Sequence, residues 1–536
     1  MDPKVADRDR PWSKHGPDGP WDALVIGSGM GGMSAAAMLA RLGNRVLVLE
    51  QHFVPGGFTQ TFRRGPYSWD IGVHAVGEVT ANTPTGRLLD DLTQGRLEWA
   101  PLGAVYDRFH FPDDVHLEFP DSKEAFRENL LSLEPHEGKA IDAYISRAVR
   151  DANAMRAFYQ ARLVPPRVGG AVERVVARRA RHAIGRTTAE VLAGLSPSGR
   201  LRAVLSAQWG YYGATPSRSS WAMHASMVRH FLDGAWYPVG GAGELARTLL
   251  ATVAQAGGWS RISTPVQEIV VSNGRAVGVR LDTGETIHAP RIISAVGVGA
   301  TVRRLLPESE RATGWAHEVM SLAPGPAHAS LYLGLKGDIR RAGASPANEW
   351  FYDTWDMEMS GWRVDAPDAL PDAPILYCSF PSLKDPHREV GPDAYHTAEV
   401  ITFVPWQAFQ RWRGTRWMRR GAEYDELKVA LTERLLKQFR ACMPALAPRI
   451  DRVELSTPLS TDFFTRAVGG SIYGLEPTPA RFRCRWLRPH SPIRDLYFAG
   501  SEVGTVGVMG ALNGGMLAAT AAAPRRALPY LRRLRV

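Results

Sequence analysis

Cysteine is scarce in this 536-residue chain, which contains only Cys378, Cys442 and Cys484. The three are far apart in sequence and none has the spacing of a metal ligand set, so neither a disulfide framework nor a metal centre is expected. This usage fits a reducing compartment, and we expect the cysteines to be core residues.

Long apolar runs are also missing. Residues 505–523 carry no charge, but their many glycines, together with Asn513 and Thr520, argue against a membrane span. The first twenty residues, MDPKVADRDRPWSKHGPDGP, are polar and lack the apolar core of a signal peptide. We therefore expect residues 1–20 to be a mobile, disordered tail and the protein to be cytoplasmic.

Acidic residues are outnumbered by basic ones, giving a formal net charge of +10. No zinc-finger spacing or RNP-like stretch accompanies this charge, so nucleic acid is not an expected partner. Arginines instead stand among valines in AVERVVARRARHAI (171–184) and among tryptophans in WQAFQRWRGTRWMRR (406–420), mixtures typical of an interface with lipid. We expect peripheral association with an anionic membrane surface; a solvated basic face packed on its own core is the alternative.

A basic tail, residues 524–536, ends the chain. Its arginines could add electrostatic attraction to a membrane, but Pro529 argues against one continuous helix there.

What the sequence does contain is a glycine-rich unit near its start, WDALVIGSGMGGMSAAAMLARLGNRVLVLE. It predicts a short apolar strand, a glycine turn, a helix of small residues and a second strand that ends at Glu50. Strand, G-x-G-x-x-G, helix, strand and acid in this order are typical of a dinucleotide-binding unit.

Each position of that unit has a physical task. Gly27 allows the tight turn, Gly29 lets the backbone approach a pyrophosphate, and Gly32 lets helix and strand pack closely. The start of the helix directs free N–H groups at the phosphates, and Glu50 would accept hydrogen bonds from ribose hydroxyls. FAD and NAD both satisfy these requirements, so this unit alone does not choose between them.

The next stretch, EQHFVPGGFTQTFRRGPYSWDIGVH, makes that choice through a resemblance. An acid, a short spacer and the pair Gly56 and Gly57 resemble the extended motif of the FAD-dependent amine-oxidase and phytoene-desaturase superfamily. Within it, EQH, GG, TF and DIGVH are most similar to the retinol saturase and carotenoid isomerase family. The resemblance implies one non-covalently bound FAD.

Two later blocks resemble the same family. WYPVGGAGELARTLLATVAQAGG begins at Trp236 and precedes a predicted three-stranded meander, in which the backbone near Val266 would lie by the adenine. DLYFAGSEVGTVGVMGALNGGMLAA resembles the closing flavin motif, in which Glu502 would bind the ribityl or diphosphate region and a helix starting near residues 508–511 would direct its positive end at the flavin. The motifs and the resemblance together assign to FAD the residues Gly27, Gly29, Gly31, Gly32, Glu50, Gln51, Gly56, Gly57, Thr61, Val266, Gly500, Glu502, Gly510 and Ala511.

The resemblance implies an α/β fold with a Rossmann-type FAD-binding domain and a mixed α+β substrate domain, and the length of the chain requires more than one lobe. We expect residues 21–95, 236–300 and 456–523 to form a discontinuous FAD-binding domain. Residues 96–235 and 301–455 would form the substrate and membrane-facing domain.

The expected function is that of an FAD-dependent oxidoreductase acting on a carbon–carbon double bond of a retinoid, carotenoid or other unsaturated lipid, with saturation favoured over isomerisation and desaturation. A flavin amine oxidase and a non-catalytic lipid-binding flavoprotein are the alternatives. No second dinucleotide motif is evident, so the electron donor is unassigned. The candidates for delivering a proton are His74, Tyr237, His224 and His230.

Overall fold

A computed structural model describes residues 10–359, 361–364 and 369–536. In chain order, its strands are β1 (Ala23–Ile26), β2 (Val46–Leu49), β3 (Thr61–Arg64), β4 (Tyr67–Asp70), β5 (Trp99–Pro101), β6 (Val105–Phe111), β7 (Val115–Pro120), β8 (Trp236–Pro238), β9 (Trp259–Arg261), β10 (Val266–Ser272), β11 (Arg275–Leu281), β12 (Thr286–His288), β13 (Ile292–Ser294), β14 (Ala327–Lys336), β15 (Asn348–Tyr352), β16 (Ile375–Ser379), β17 (Tyr395–Val404), β18 (Ile450–Ser456) and β19 (Leu496–Phe498).

Its α-helices are α1 (Met30–Arg41), α2 (Pro84–Thr93), α3 (Lys123–Leu133), α4 (Gly138–Arg162), α5 (Pro166–Val176), α6 (Arg178–Ile184), α7 (Thr188–Ala193), α8 (Gly199–Ser206), α9 (Trp221–Phe231), α10 (Gly243–Gln255), α11 (Val298–Arg304), α12 (Glu308–Arg311), α13 (Gly314–Met320), α14 (Pro381–Lys384), α15 (Ala422–Cys442), α16 (Pro458–Thr465), α17 (Pro479–Arg483), α18 (Val508–Ala522) and α19 (Pro524–Leu534).

The first of two large sheets is parallel and has the order β19-β13-β1-β2-β9. Strands β1 and β2 are apolar throughout because both faces of this sheet are covered. Ala23 and Val25 pack into one hydrophobic cluster, whereas Leu24 and Ile26 pack into another. Helices α1, α10 and α18 cover the first face. This is the predicted Rossmann-type layer, and the predicted fold class is confirmed.

The second large sheet has seven strands in the order β18-β14-β17-β16-β15-β6-β7. Its side chains alternate between two environments, as the period of a strand requires. On β17, Ala398 and Val400 point into a cluster that α15 covers, whereas Ile401 and Phe403 point into a cavity. The sheet therefore supplies a wall to the cavity with one of its faces.

The predicted meander is confirmed as the antiparallel sheet β10-β11-β12. Asn273 and Gly274 link its first two strands, and both have positive φ, +50° and +68°. Such a two-residue turn matches the twist of the strands it joins.

Both chain ends differ from the prediction. Residues 1–9 lie outside the described residues, but residues 10–20 are not a free tail. Ser13 pairs with the edge strand β9, Trp12 packs on the core, and Arg45 holds the carbonyl of Asp18. An edge strand leaves unpaired N–H and C=O groups, and Ser13 satisfies some of them.

The basic tail forms the helix α19, and it runs through Pro529. The prediction that proline would interrupt it was wrong because tertiary contacts outweigh the lost backbone hydrogen bond. Ala527 and Tyr530 are buried in the core, and Arg526 donates to the carbonyl of Leu42.

The predicted amphipathic helix of residues 171–184 is instead two helices, α5 and α6, separated at Ala177. Ala180 and Ala183 are buried, but Val175 is 81% exposed. Within the described residues, no helix combines the length and the apolar character needed to cross a membrane.

Candidate functional site

One cavity of about 450 Å³ runs from the C-terminal edge of the parallel sheet to the inner face of the seven-stranded sheet. We call its two parts the dinucleotide end, lined by Gly27, Gly29, Gly31, Glu50 and Glu502, and the chamber end. The chamber end is lined by Tyr211, Trp350, Ile375, Tyr377, Ile401 and Phe403.

Glycines shape the dinucleotide end. Gly27 has φ of +90°, which side chains rarely adopt. A Cβ on Gly32 would stand 2.0 Å from the carbonyl oxygen of Gly27, and one on Gly31 would stand 2.4 Å from the Cα of Gly500. A Cβ on Gly29, by contrast, would meet no protein atom within 4 Å, because this residue faces the cavity.

Glu50 lies at the end of β2, buried against the glycine turn. Its Oε2 accepts hydrogen bonds from the backbone N–H of Ser28 (2.9 Å) and from the Ser28 hydroxyl (2.6 Å), and its Oε1 accepts from the N–H of His52 (2.8 Å). A carboxylate has about four acceptor positions. Glu50 therefore retains capacity for a hydroxyl in the cavity that it lines.

Glu502 and the start of α18 form the facing wall. The Glu502 carboxylate accepts from the N–H groups of Leu475 and Gly299, both at 3.1 Å. Helix α18 begins at Val508, as predicted, and Gly507, Val508 and Ala511 line the cavity. The positive end of the helix dipole thus faces the space where a reduced cofactor would carry negative charge.

Most of the predicted cofactor residues line the cavity. Those on its wall are Gly27, Gly29, Gly31, Glu50, Gln51, Gly57, Val266, Gly500, Glu502 and Ala511.

Four predicted cofactor residues do not reach the cavity. Gly32 packs on the glycine turn, Gly56 pairs with Gly29, and Gly510 packs on the carbonyl of Thr505. The Thr61 hydroxyl, which the sequence assigns to FAD, donates to Asp70 (2.7 Å) and accepts from the N–H of Gly243 (2.9 Å). These residues support the wall instead of forming it.

The wall fits FAD. It offers an open glycine turn for a pyrophosphate, a buried carboxylate at a strand end for a ribose, and a helix start for the flavin. Gly29 would stand by the diphosphate, Glu50 by the ribose and Ala511 by the flavin.

The chamber end is built by alternate residues of neighbouring strands. His328 of β14, Trp350 of β15, Tyr377 of β16 and Ile401 of β17 all point to the same side. The two carboxylates found on the described cavity wall, Glu50 and Glu502, both belong to the dinucleotide end. The chamber is therefore mainly aromatic and aliphatic.

Of the four predicted proton donors, His74 is on the cavity wall. Its Nδ1 lies 2.9 Å from Oε2 of Glu399, a fully buried carboxyl. Burial, with the nearby Lys384 adding to it, lowers the pKa of His74 to about 3. The imidazole is therefore neutral at physiological pH.

The other three predicted donors lie outside the cavity lining. The ring of His224 is fixed between the hydroxyls of Tyr144 (2.9 Å) and Tyr212 (3.1 Å), and burial lowers its pKa to about 3. His230 accepts from the N–H of Gly77 (2.8 Å), and the hydroxyl of Tyr237 donates to Asp70. All three groups are committed to structural hydrogen bonds.

Sequence reasoning missed three residues of the site: His328, Lys384 and Glu399. His328 lines the cavity, and burial lowers its pKa to about 4. Glu399 and Lys384 lie behind His74. A charged residue inside an otherwise apolar strand, as in AEVITFV, is the signal that could have revealed Glu399.

A parallel sheet with a glycine turn, buried acids at its edge and an adjoining apolar chamber defines a dinucleotide-dependent oxidoreductase. The family model of flavin-containing amine oxidoreductases matches residues 30–523. The chain belongs to this family, and FAD is its cofactor. The predicted superfamily and cofactor are confirmed.

Among its relatives, the chain is 31% identical to the human all-trans-retinol 13,14-reductase, in an alignment that covers 96% of this chain and 87% of that one. It is 24% identical to prolycopene isomerase 1 of an Oncidium hybrid cultivar, covering 85% and 76% of the two chains. Its fold is similar to that of the cyclohexylamine oxidase from Brevibacterium oxydans, with a TM-score of 0.57, 20% identity, and coverage of 96% and 100%.

Proposed function

We propose that this flavoenzyme reduces a carbon–carbon double bond of a retinoid, a carotenoid or a similar polyene. The observation that carries the proposal is the chamber: an aromatic and aliphatic wall that opens directly onto the FAD site. Burying an apolar chain there gains about 0.8 kcal/mol for each CH₂ group taken from water. A polyene can make apolar contacts with such a wall along its whole length.

An amine substrate fits the chamber less well. An amine is a cation at neutral pH, and a cation needs a compensating charge when it is buried. The carboxylates of the described cavity wall lie at the dinucleotide end, and the buried Lys384 adds positive charge behind the chamber. The charges of the chamber therefore favour a neutral substrate over an amine.

Reduction is favoured over isomerisation by the relatives. The human reductase is more similar to this chain than the Oncidium isomerase is, 31% against 24% identity, and its alignment covers more of this chain. When bound and reduced, FAD supplies a hydride to one carbon of the double bond. The wall residues orient the polyene, keep water out, and present His74 as a proton donor to the neighbouring carbon.

A panel of substrates tests the reaction. Chemically reduced protein is mixed without oxygen with retinoids, carotenoids, unsaturated fatty acids and amines, while flavin absorbance and product mass are followed. We expect reoxidation by a polyene and a product that is heavier by two hydrogens. A product of unchanged mass indicates an isomerase. Oxidised protein that is bleached while it forms a lighter product indicates a desaturase, and a response to amines alone indicates an amine oxidase.

The enzyme also docks on an anionic bilayer, and the docking surface is an aromatic cluster at the rim of the cavity. Phe53 is 57% exposed and stacks on His52, which lines the cavity. Trp417 stacks on Phe463, beside the exposed Met418. The exposed arginines beside them in sequence are Arg413, Arg416 and Arg419. Apolar side chains among arginines complement a surface of anionic headgroups.

Flotation with vesicles tests the docking. The protein should rise with anionic vesicles at low salt and less so at high salt, because salt screens exposed charges. Trp417→Ser with Phe463→Ser should reduce flotation. Val429→Ser, which alters an exposed valine of α15 outside residues 171–184 and 406–420, is the control. Equal flotation with neutral and anionic vesicles would refute the electrostatic part.

A further inference from the structure

The pair His74 and Glu399 stands between the chamber and a buried polar cluster. On β17, Glu399 has the same orientation as Ile401 and Phe403, but it lies behind His74 instead of on the cavity wall. Its Oε1 accepts from the backbone N–H of Asp70 (2.9 Å), and its Oε2 lies 2.9 Å from Nδ1 of His74. Although they are this close, these last two atoms are not aligned as a hydrogen bond, and neither has a hydrogen-bond partner among the described residues.

Lys384 fixes the same histidine from the other side. Its ammonium group donates to the carbonyl of His74 (2.7 Å), to Oδ1 of Asn348 (2.5 Å) and to the hydroxyl of Ser379 (2.6 Å). Ser379 is the partner of Glu399 across β16 and β17. Sheet register therefore holds a buried acid and a buried base together beneath His74.

We infer that His74 is the catalytic acid of this cavity and that Glu399 is the positioning residue that holds and resupplies its proton, an inference that rests on the proposed reduction. Nδ1 faces Glu399, so Nε2 is the ring nitrogen available to the chamber. The bond between Nε2 and its hydrogen breaks as a C–H bond forms on the carbon next to the one that receives the hydride. At the same time, the carboxyl proton of Glu399 passes to Nδ1.

These two proton transfers leave the imidazole of His74 uncharged. One proton enters the substrate, His74 remains neutral with its hydrogen moved to Nδ1, and Glu399 becomes a carboxylate. The ammonium of Lys384 stabilises that carboxylate until a proton from solvent reaches Nε2 and the proton on Nδ1 returns to Glu399, which restores both starting groups. The poor alignment in the free enzyme is compatible with this role, because catalytic hydrogen bonds often tighten only when substrate is bound.

The protonation states agree with the geometry. Burial raises the pKa of Glu399 to about 8, although the nearby Lys384 opposes this effect, and burial lowers the pKa of Lys384 to about 7. The other titratable groups that face the pair are Asp70, whose pKa burial raises to about 6, His328, Asp107 near Lys384, and the buried hydroxyls of Tyr237, Tyr332 and Tyr377. Near neutral pH, Glu399 is therefore an acid with a proton to give.

The first test needs no turnover. Infrared spectra of the oxidised, FAD-loaded protein are compared between wild type and Glu399→Gln from pH 6 to pH 10. We expect the wild type to show an additional carboxylic acid band that disappears with a midpoint near pH 8. The matched control is Glu349→Gln, because Glu349 contacts His110 at 2.8 Å outside the cavity lining. Identical spectra for the wild type and Glu399→Gln would overturn the assignment of the stored proton.

The second test follows reoxidation of the reduced protein by a polyene as a function of pH. The wild-type rate should fall above about pH 8, since Glu399 loses its proton there. Glu399→Gln should lack this decline and react about 10²-fold more slowly at its plateau, the low end of what general acid catalysis contributes. Glu349→Gln should follow the wild type. Lys384→Met should move the decline to higher pH, because removing the cation raises the pKa of Glu399.

The two failures are distinguishable. If the reoxidation rate of Glu399→Gln still declines with pH as in the wild type, and the wild type reduces polyenes, the roles inferred for His74 and Glu399 are wrong. The proposed function then stands. If no polyene reoxidises the wild type, the proposed function is wrong and the catalytic role of the pair is lost with it. The infrared comparison still decides whether Glu399 holds the proton. The flavin spectrum shows which variants have kept their cofactor.

Discussion

The two ends of the cavity are built in different ways. The dinucleotide end is made largely of backbone, where Gly29 leaves open space and Gly31 and Gly500 touch without side chains. The chamber end is made of side chains that project from one face of a sheet, such as Trp350 and Ile401. Where backbone forms the wall, an added side chain takes the space of the cofactor. Where side chains form the wall, substitutions change the volume of the chamber in steps. Substitutions should therefore abolish FAD binding at the dinucleotide end, whereas at the chamber end they should change the reaction by degrees.

The largest effect is expected at Gly29. A Cβ at Gly29 meets no protein atom within 4 Å, and the methyl groups of Gly29→Val would fill the space of the pyrophosphate, so the variant should fold and contain no flavin. The measurement is the flavin absorbance of purified protein together with its circular dichroism. Gly314→Val is the control, because Gly314 also has open space beside it and is not on the cavity wall. A yellow Gly29→Val protein would show that the diphosphate lies elsewhere.

The second effect concerns His74 at the chamber end. His74→Gln should retain FAD and lower the rate of polyene reduction by about 10²–10⁴-fold, the usual contribution of a general acid. His230→Gln, in which the amide oxygen can still accept from the N–H of Gly77, should react at close to the wild-type rate. Single-turnover reoxidation of the flavin is the measurement. Equal rates for the wild type and His74→Gln would remove His74 from the mechanism.

The smallest effect is expected from a change of chamber volume. Leu331→Ala should cost about 2–5 kcal/mol of stability, because it removes a fully buried side chain, whereas Ile401→Ala should cost less, because Ile401 is only partly buried. Only Ile401 lines the cavity, since Leu331 packs on the opposite face of the sheet. Ile401→Ala should therefore change the preference among polyenes by about 10-fold, within the range expected for a methylene group. A similar change of preference in Leu331→Ala would mean that altered stability, not chamber shape, decides it.

Sequence reasoning succeeded where the chemistry is local. The residues from Gly27 to Glu50 form one strand–turn–helix–strand unit, so their spacing alone predicts where each will lie. The start of α18 at Val508 was predicted from a single glycine-rich segment. In such segments the local sequence determines the geometry.

It failed where residues distant in sequence meet. His74 and Glu399 are brought together by the packing of β4 against β17, which no local pattern reports. His224 and His230 were also predicted as candidate donors, but tertiary packing turns them away from the cavity. Pro529 stays within a helix for the same reason, because packing outweighs propensity.

The most direct test of the central claim is an anaerobic titration of the chemically reduced protein with all-trans-retinol. Flavin absorbance gives the amount of cofactor reoxidised, and mass spectrometry gives the amount of dihydro product. We expect one molecule of dihydro product for each flavin reoxidised. Retinol that is isomerised while the flavin stays reduced, or a flavin that retinol and the other polyenes leave reduced, would contradict it.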